Sequence, residues 1–172
     1  PRRAYLRLHC LRDRAILELL YCGLRLAEAL SLKEDGIHFD ENHVRVYGKG
    51  GRERLVPVGR HACKALRTYQ SERSRRFPGH PEPFFLTHRG RALSRGAFWR
   101  RLKLYARRAG IQRPVYPHLL RHCFASHMLR HGADLRSLQE MLGHRHLSTT
   151  AIYLHLDPQR MVQVYRSAHP RA

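Results

Sequence analysis

Hydrophobic residues repeat with a helical period along most of this chain and with a strand period once. That single change limits the folds open to it. Between residues 36 and 58 the pattern alternates, as HVRVY at 43–47 and RLVPV at 54–58, around the glycine-rich turn GKGG at 48–51. Alternation on both sides of such a turn predicts a β-hairpin. Elsewhere apolar residues fall three and four apart. Leu11, Ala15, Ile16, Leu19 and Leu20 line one face of a helix over 11–21. Cys22-Gly23 breaks it and 24–32 (LRLAEALSL) resumes it. A helix over 61–77 follows, then a loop at 78–83 too short to separate two domains.

Start and stop signals divide the second half of the chain. Ser94 caps a helix through 109 that stops at Gly110, with Phe98, Trp99, Leu102 and Tyr105 as its buried side. Its Arg100, Arg101, Lys103, Arg107 and Arg108 are left for phosphate or water. Pro117 starts a helix over 118–131 closed by Gly132, and Asp134 caps the next, 135–142, closed by Gly143. Ser148 caps a helix over 149–155, and a last one covers 158–165. The expectation is a mainly α fold with one small antiparallel sheet, of α+β class. At 172 residues and 42% hydrophobic, the chain has enough for one core, hence one domain.

Charge points to the partner. There are 33 Lys+Arg against 13 Asp+Glu, a formal charge of +20, far more than solubility requires. A polyanion, DNA or RNA, is the natural counterpart. The basic residues are dispersed rather than gathered on one amphipathic helix, and no apolar run approaches the ~20 residues that span a bilayer, so no membrane partner is expected. Cys10, Cys22, Cys63 and Cys123 lie far apart with no CxxC pair, and read as buried thiols of a reducing compartment.

Several residues could form a phosphate-attacking site. Tyr153, between Ile152 and Leu154, is by itself as consistent with core as with chemistry. His118 and Arg121 stand three apart on one helical face. Arg25 and Glu28 share that spacing, and as an arbitrary pair they read first as a surface ion pair worth a few tenths of a kcal/mol. Lys49 sits at the hairpin tip, where an ordinary solvated lysine is the plainer reading, and His144 lies just past a helix end. Cleaving a phosphodiester without metal needs a nucleophile, two charged donors for the non-bridging oxygens, and an acid for the leaving oxygen. Tyrosine, with a pKa of about 10, needs a cationic setting or a base. Arginine forks and a compact lysine donor suit the other roles. The pairs His118/His122 and His127/His131 have metal-binding spacing, but Leu119 stands where the zincin pattern needs Glu. Tyr165 is a second tyrosine, read as a packing residue of the last helix.

Four segments carry a resemblance: GLRLAEALSL at 23–32, VYGKGGRERLVPV at 46–58, PHLLRHCFASHML at 117–129 and HGADLRSLQEMLGHRHLSTTAIYLH at 131–155, with HPRA at the end. They resemble the tyrosine recombinase (phage integrase) family, most closely its XerD-type branch, from about residue 11 to the C-terminus. The resemblance implies that 1–172 is a C-terminal catalytic domain, separated from an N-terminal DNA-clamping domain. Starting at Pro1 and entering a helix almost at once fits such a piece. It implies site-specific DNA recombination without metal, cofactor or ATP. Tyr153 would form a 3′-phosphotyrosyl link, Arg25 and Arg121 would clamp the phosphate, and Lys49 would protonate the leaving 5′ oxygen. His118 would act as general acid/base, His144 as a second phosphate donor, and Glu28 as partner of Arg25. Implied partners are double-stranded DNA, a recombinase tetramer of one or two related chains, and a DNA translocase. Residues 158–172 would offer a docking segment for a neighbouring subunit. The setting would be a bacterial cytoplasm, on the nucleoid, in chromosome-dimer resolution or in integration and excision. A type IB topoisomerase-like enzyme and a non-catalytic DNA-binding module with the same fold are the other readings.

Overall fold

A computed structural model describes residues 2–48, 51, 53–79, 82–143 and 158–172. Helix α1 (Arg2–Tyr21) runs through the middle and packs along α3 (Arg60–Arg76) on one side and α5 (Pro117–Arg130) on another. Its Leu8, Ala15, Ile16, Leu19 and Leu20 are fully buried; of the face read from the sequence only Leu11 is half-buried, packed at the edge of the core. Between α1 and α3 lie a short helix, α2 (Leu26–Leu30), and three strands, β1 (Ile37–His38), β2 (His43–Tyr47) and β3 (Glu53–Pro57). The sheet is antiparallel in the order β1-β2-β3, with Val44 opposite Val56 and Val46 opposite Arg54. Val44, Val46, Val56 and Val58 face the core. The hairpin matches the sequence reading. Strand β1 was not anticipated, since two residues are too few to show an alternation.

Helix α2 is shorter than the 24–32 expected. Gly23 ends α1 with φ +93, a left-handed turn in which Leu24 N–H returns to Leu19 O and Gly23 N–H to Leu20 O. Arg25 is therefore extended, at the N-cap of α2 rather than within it. A Cβ at Gly23 would stand 2.7 Å from Phe124 Cε1 on α5, so the same residue sets the spacing of the two helices. Gly23→Ala is expected to combine left-handed strain with overpacking, each about 1–3 kcal/mol. A urea melt should show a lower midpoint at unchanged slope; an unchanged midpoint would mean that neither the left-handed turn nor Phe124 resists the added methyl.

Helix α4 (Arg95–Arg108) is capped as expected, Ser94 Oγ accepting from Ala97 N–H at 3.2 Å. Its buried stripe is Phe98, Leu102 and Ala106, four residues apart. Trp99 lies off that stripe and is exposed, with Lys103 Nζ 4.0 Å above its ring. Tyr105 is half-buried and donates to Asp13 Oδ2 at 2.6 Å. Arg101 is not left for phosphate or water, because its Nε also binds the fully buried Asp13. Arg12 completes this cluster from α1 and donates to Leu86 O at 2.9 Å. No period reveals a buried carboxylate that gathers two arginines and a tyrosine.

Helices α6 (Leu135–Leu142) and α7 (Pro158–Ala168) close the fold. Asp134 caps α6, accepting from Ser137 N–H at 2.8 Å, and Gly143 ends it with φ +63. The last residues lie back over their own chain: Tyr165 OH meets Cys22 Sγ at 3.1 Å, His169 stacks on Tyr165, and Arg171 pairs with Glu18. All four cysteines are free thiols, but only Cys22 is fully buried; Cys63 and Cys123 are partly exposed and Cys10 exposed, against the expectation of four buried ones. Among the described residues no helix is long and apolar enough to cross a membrane.

Candidate active site

The N-terminus of α5 meets the α1–α2 junction in a small cleft lined by Leu24, Arg25, Leu26, Pro117, His118 and Arg121. Pro117 occupies the first turn of α5, where a missing N–H costs nothing, and places His118 exposed at the cleft rim. Arg121, one turn on, lines the same cleft from its buried side. Its Nη1 donates to Gly23 O and its Nη2 to Leu142 O. The close contact of Phe124 with Gly23 brings α5 near enough for that reach. Burial, reinforced by the charges of Arg25 and Arg54, lowers Arg121 to about 10, which leaves it charged at neutral pH.

Glu28 is not the surface partner that its spacing alone suggests. It is buried, and its carboxylate accepts Arg25 N–H at 2.7 Å, Arg25 Nη1 at 2.9 Å, and Arg54 Nη1 and Nη2 at 2.5 and 2.9 Å. Burial raises its pKa, but the hydrogen bonds and charge of Arg54, with those from Arg25, outweigh that and hold it below the ordinary carboxylate range. The Arg25 side chain is 39% exposed, so this anchoring fixes one edge of its guanidinium while the side chain borders solvent at the cleft.

The C-terminal end of α6 is the third side. Three successive carbonyls there each accept from a different arginine: Met141 O from Arg54 Nε at 3.2 Å, Leu142 O from Arg121, and Gly143 O from Arg25 Nη2 at 3.3 Å. A helix C-terminus carries partial negative charge and unsatisfied carbonyls, so guanidiniums are its natural caps. The chain leaves Gly143 at this point.

Of the residues expected to act together, the structure therefore brings Arg25, His118 and Arg121 to one cleft, with Glu28 behind them. Lys49, His144 and Tyr153 lie outside the described residues, as does the helix expected after Ser148. Arg54 is the residue that sequence reading missed. Its phase in RLVPV, in step with the buried Val56 and Val58 and opposite Val46, sets it on the core face of β3. That alternation was the signal that could have found it; its partners themselves lie far off in the chain. Tyr165 is buried, as its packing role required, and its hydroxyl is pushed far up by burial and then by Cys22. Among the described residues no group of three or more His, Cys, Asp or Glu side chains could hold a metal.

Residues 5–160 match the model of the phage integrase family. The chain is 46% identical over 166 residues to the tyrosine recombinase XerD of Listeria monocytogenes, covering 94% of this chain and 56% of that protein. It is 50% identical over 163 residues to the tyrosine recombinase XerC of Chromobacterium violaceum, covering 94% of this chain and 54% of that one. The chain thus spans little more than half the length of these curated relatives. Among solved structures, XerA recombinase superposes with a TM-score of 0.71 at 30% identity, over 99% of this chain and 63% of that one. The XerH site-specific recombinase bound to its difH substrate, in a pre-cleavage complex, superposes with a TM-score of 0.69 at 29% identity, over 89% of this chain and 46% of that one.

Proposed function

The chain belongs to the phage integrase family, and from that membership we propose that it breaks and rejoins double-stranded DNA site-specifically through a covalent tyrosyl intermediate. The observation that carries this reading is the cleft itself, where two arginines anchored by Glu28 and by helix-end carbonyls flank an exposed histidine. In the proposed reaction the Tyr153 hydroxyl oxygen bonds to the scissile phosphorus. The bond from phosphorus to the 5′ oxygen breaks and a 3′-phosphotyrosyl ester remains. Lys49 gives its proton to the departing 5′ oxygen, and His118 takes the tyrosine proton. Arg25 and Arg121 neutralise the non-bridging oxygens in the transition state, and His144 adds a hydrogen bond there. The ester conserves the energy of the broken bond, so a second 5′ hydroxyl reverses the step without ATP. The +20 charge supports binding to the DNA backbone.

We place this activity in a recombinase tetramer on DNA, with 1–172 as the catalytic domain and chromosome-dimer resolution or mobile-element integration and excision as its setting. A related recombinase and a DNA translocase are the proposed further partners. Incubating the chain with nicked suicide duplexes carrying a Xer-type site tests the reading. A denaturant-resistant, protease-sensitive protein–DNA adduct is expected. Firm DNA binding with no adduct, from both this chain and the same domain fused to an N-terminal DNA clamp, would assign a binding module instead.

Lys49→Ala should slow adduct formation by about 10²–10⁴-fold, the range of general acid catalysis. A substrate with sulfur at the 5′ bridging position leaves without protonation and should restore most of the rate. Equal slowing on both substrates would remove Lys49 from the acid role.

A further inference from the structure

Arg54 stands outside the cleft lining, and its side chain is only 13% exposed. Its three guanidinium nitrogens are all engaged within the protein: Nη1 and Nη2 on the two oxygens of Glu28, and Nε on Met141 O. Its stem runs beneath Gly143, where a Cβ would come within 3.0 Å of Arg54 Cδ. Arg54 lies near the start of β3, shortly after Lys49 in sequence, on the strand that descends from the hairpin tip. It therefore touches three things that must be mutually placed: the strand leading from Lys49, the carboxylate that anchors Arg25, and the helix end from which the chain runs into 144.

We propose that Arg54 is a positioning residue, which acts through Glu28 to hold Arg25 in place and through Met141 to fix the end of α6 against the hairpin base. This rests on the cleavage chemistry proposed above. Such a brace must be an arginine. A lysine has one nitrogen and cannot serve both carboxylate oxygens and a carbonyl on the far side at once. The charged groups facing Glu28 are Arg25 at the α2 N-cap, Arg54 on β3 and Arg121 on α5. Without Arg54, Glu28 keeps its burial but loses the strongest group holding its proton off. Its protonation then moves to higher pH, and a protonated Glu28 no longer anchors Arg25.

The test compares the wild-type chain with Arg54→Met and Arg54→Lys in single-turnover adduct formation on suicide duplexes across pH, with DNA affinity and thermal melting measured in parallel. Arg54→Met should form adduct about 100-fold more slowly, the scale of a small misplacement of a reacting group. The acid limb of its rate profile should move toward neutral pH, while DNA affinity and its salt dependence stay near wild type. Arg54→Lys should return the limb part of the way. A wild-type rate in Arg54→Met overturns the proposal, as does a slowing equal at every pH, which would make Arg54 a packing residue only. Where Arg54→Met does not fold, Arg54→Lys decides alone, and an unmoved acid limb overturns the proposal. A wild-type chain that yields no adduct removes the cleavage chemistry and this inference together, whereas the other failures remove Arg54 alone.

Discussion

Tyr153→Phe is expected to abolish the covalent protein–DNA adduct altogether while leaving DNA affinity within about twofold of wild type. In the proposed reaction the phenol oxygen is the atom that bonds to phosphorus, so its loss would remove the step rather than slow it. A single uncharged hydroxyl contributes almost nothing to binding that rests on many phosphate contacts. Suicide duplexes and peptide mapping of the adduct read the outcome directly. Tyr165 cannot substitute. It is 1% exposed, its hydroxyl is held at Cys22, and burial keeps it protonated. The described tyrosine to which a persisting adduct would point first is Tyr116, exposed and adjacent in sequence to the cleft residue Pro117. An adduct mapped there would reassign the nucleophile.

Arg121→Lys is expected to slow adduct formation by about 10²–10³-fold, the usual loss when a charged or hydrogen-bonding group is taken from a transition state, with a much smaller change in affinity. Charge is retained, but one ammonium cannot reach Gly23 O, Leu142 O and a phosphate oxygen from a single position. The defect should also depend on pH in a definite direction. Burial and the neighbouring Arg25 and Arg54 lower Arg121 to about 10. A lysine at that position starts near 10.4 rather than above 12 and meets the same surroundings, so it sheds its proton at lower pH than arginine does. The deficit should therefore widen as pH is raised. Adduct rates across the alkaline range check this, and a deficit constant with pH would show that fork geometry, not charge, accounts for all of it.

The two variants separate contributions that the cleft combines. In the proposed reaction Tyr153 carries the covalent step and Arg121 charge placement, and in the structure Arg121 also joins α5 to the ends of α1 and α6. A drop in thermal stability is expected for Arg121→Lys and not for Tyr153→Phe. Breaking a buried arginine away from two carbonyls leaves those carbonyls without their donor.

Local signals in the sequence were enough for the hairpin at 43–57, the cap at Ser94, the proline start and glycine end of α5, and the Asp134 and Gly143 limits of α6. Each depends on residues within a few positions of one another, where period, caps and left-handed turns operate. The family motifs likewise singled out Arg25, Glu28, His118 and Arg121 from their spacing along the chain. Three features escaped for one reason. The burial of Glu28, the brace at Arg54 and the diversion of Arg101 to Asp13 depend on partners 26, 87 and 88 residues apart. Trp99 erred the other way: a large apolar residue beside Phe98 reads as core, but the helix turns it off the Phe98–Leu102–Ala106 stripe.

The sequence by itself determined the order of the described helices, the hairpin among them, and which chemical groups were available, because backbone propensity and side-chain type are properties of short segments. Tertiary structure alone decided which of those groups became neighbours. A helix end at Gly143, a strand at Arg54 and a helix start at Pro117 converge because packing at Gly23 and Phe124 brings them together, and no local pattern records that approach. The difference matters most for charge. An arginine pointing at water and one bound to a buried carboxylate are the same letter, and only the fold supplies the second partner.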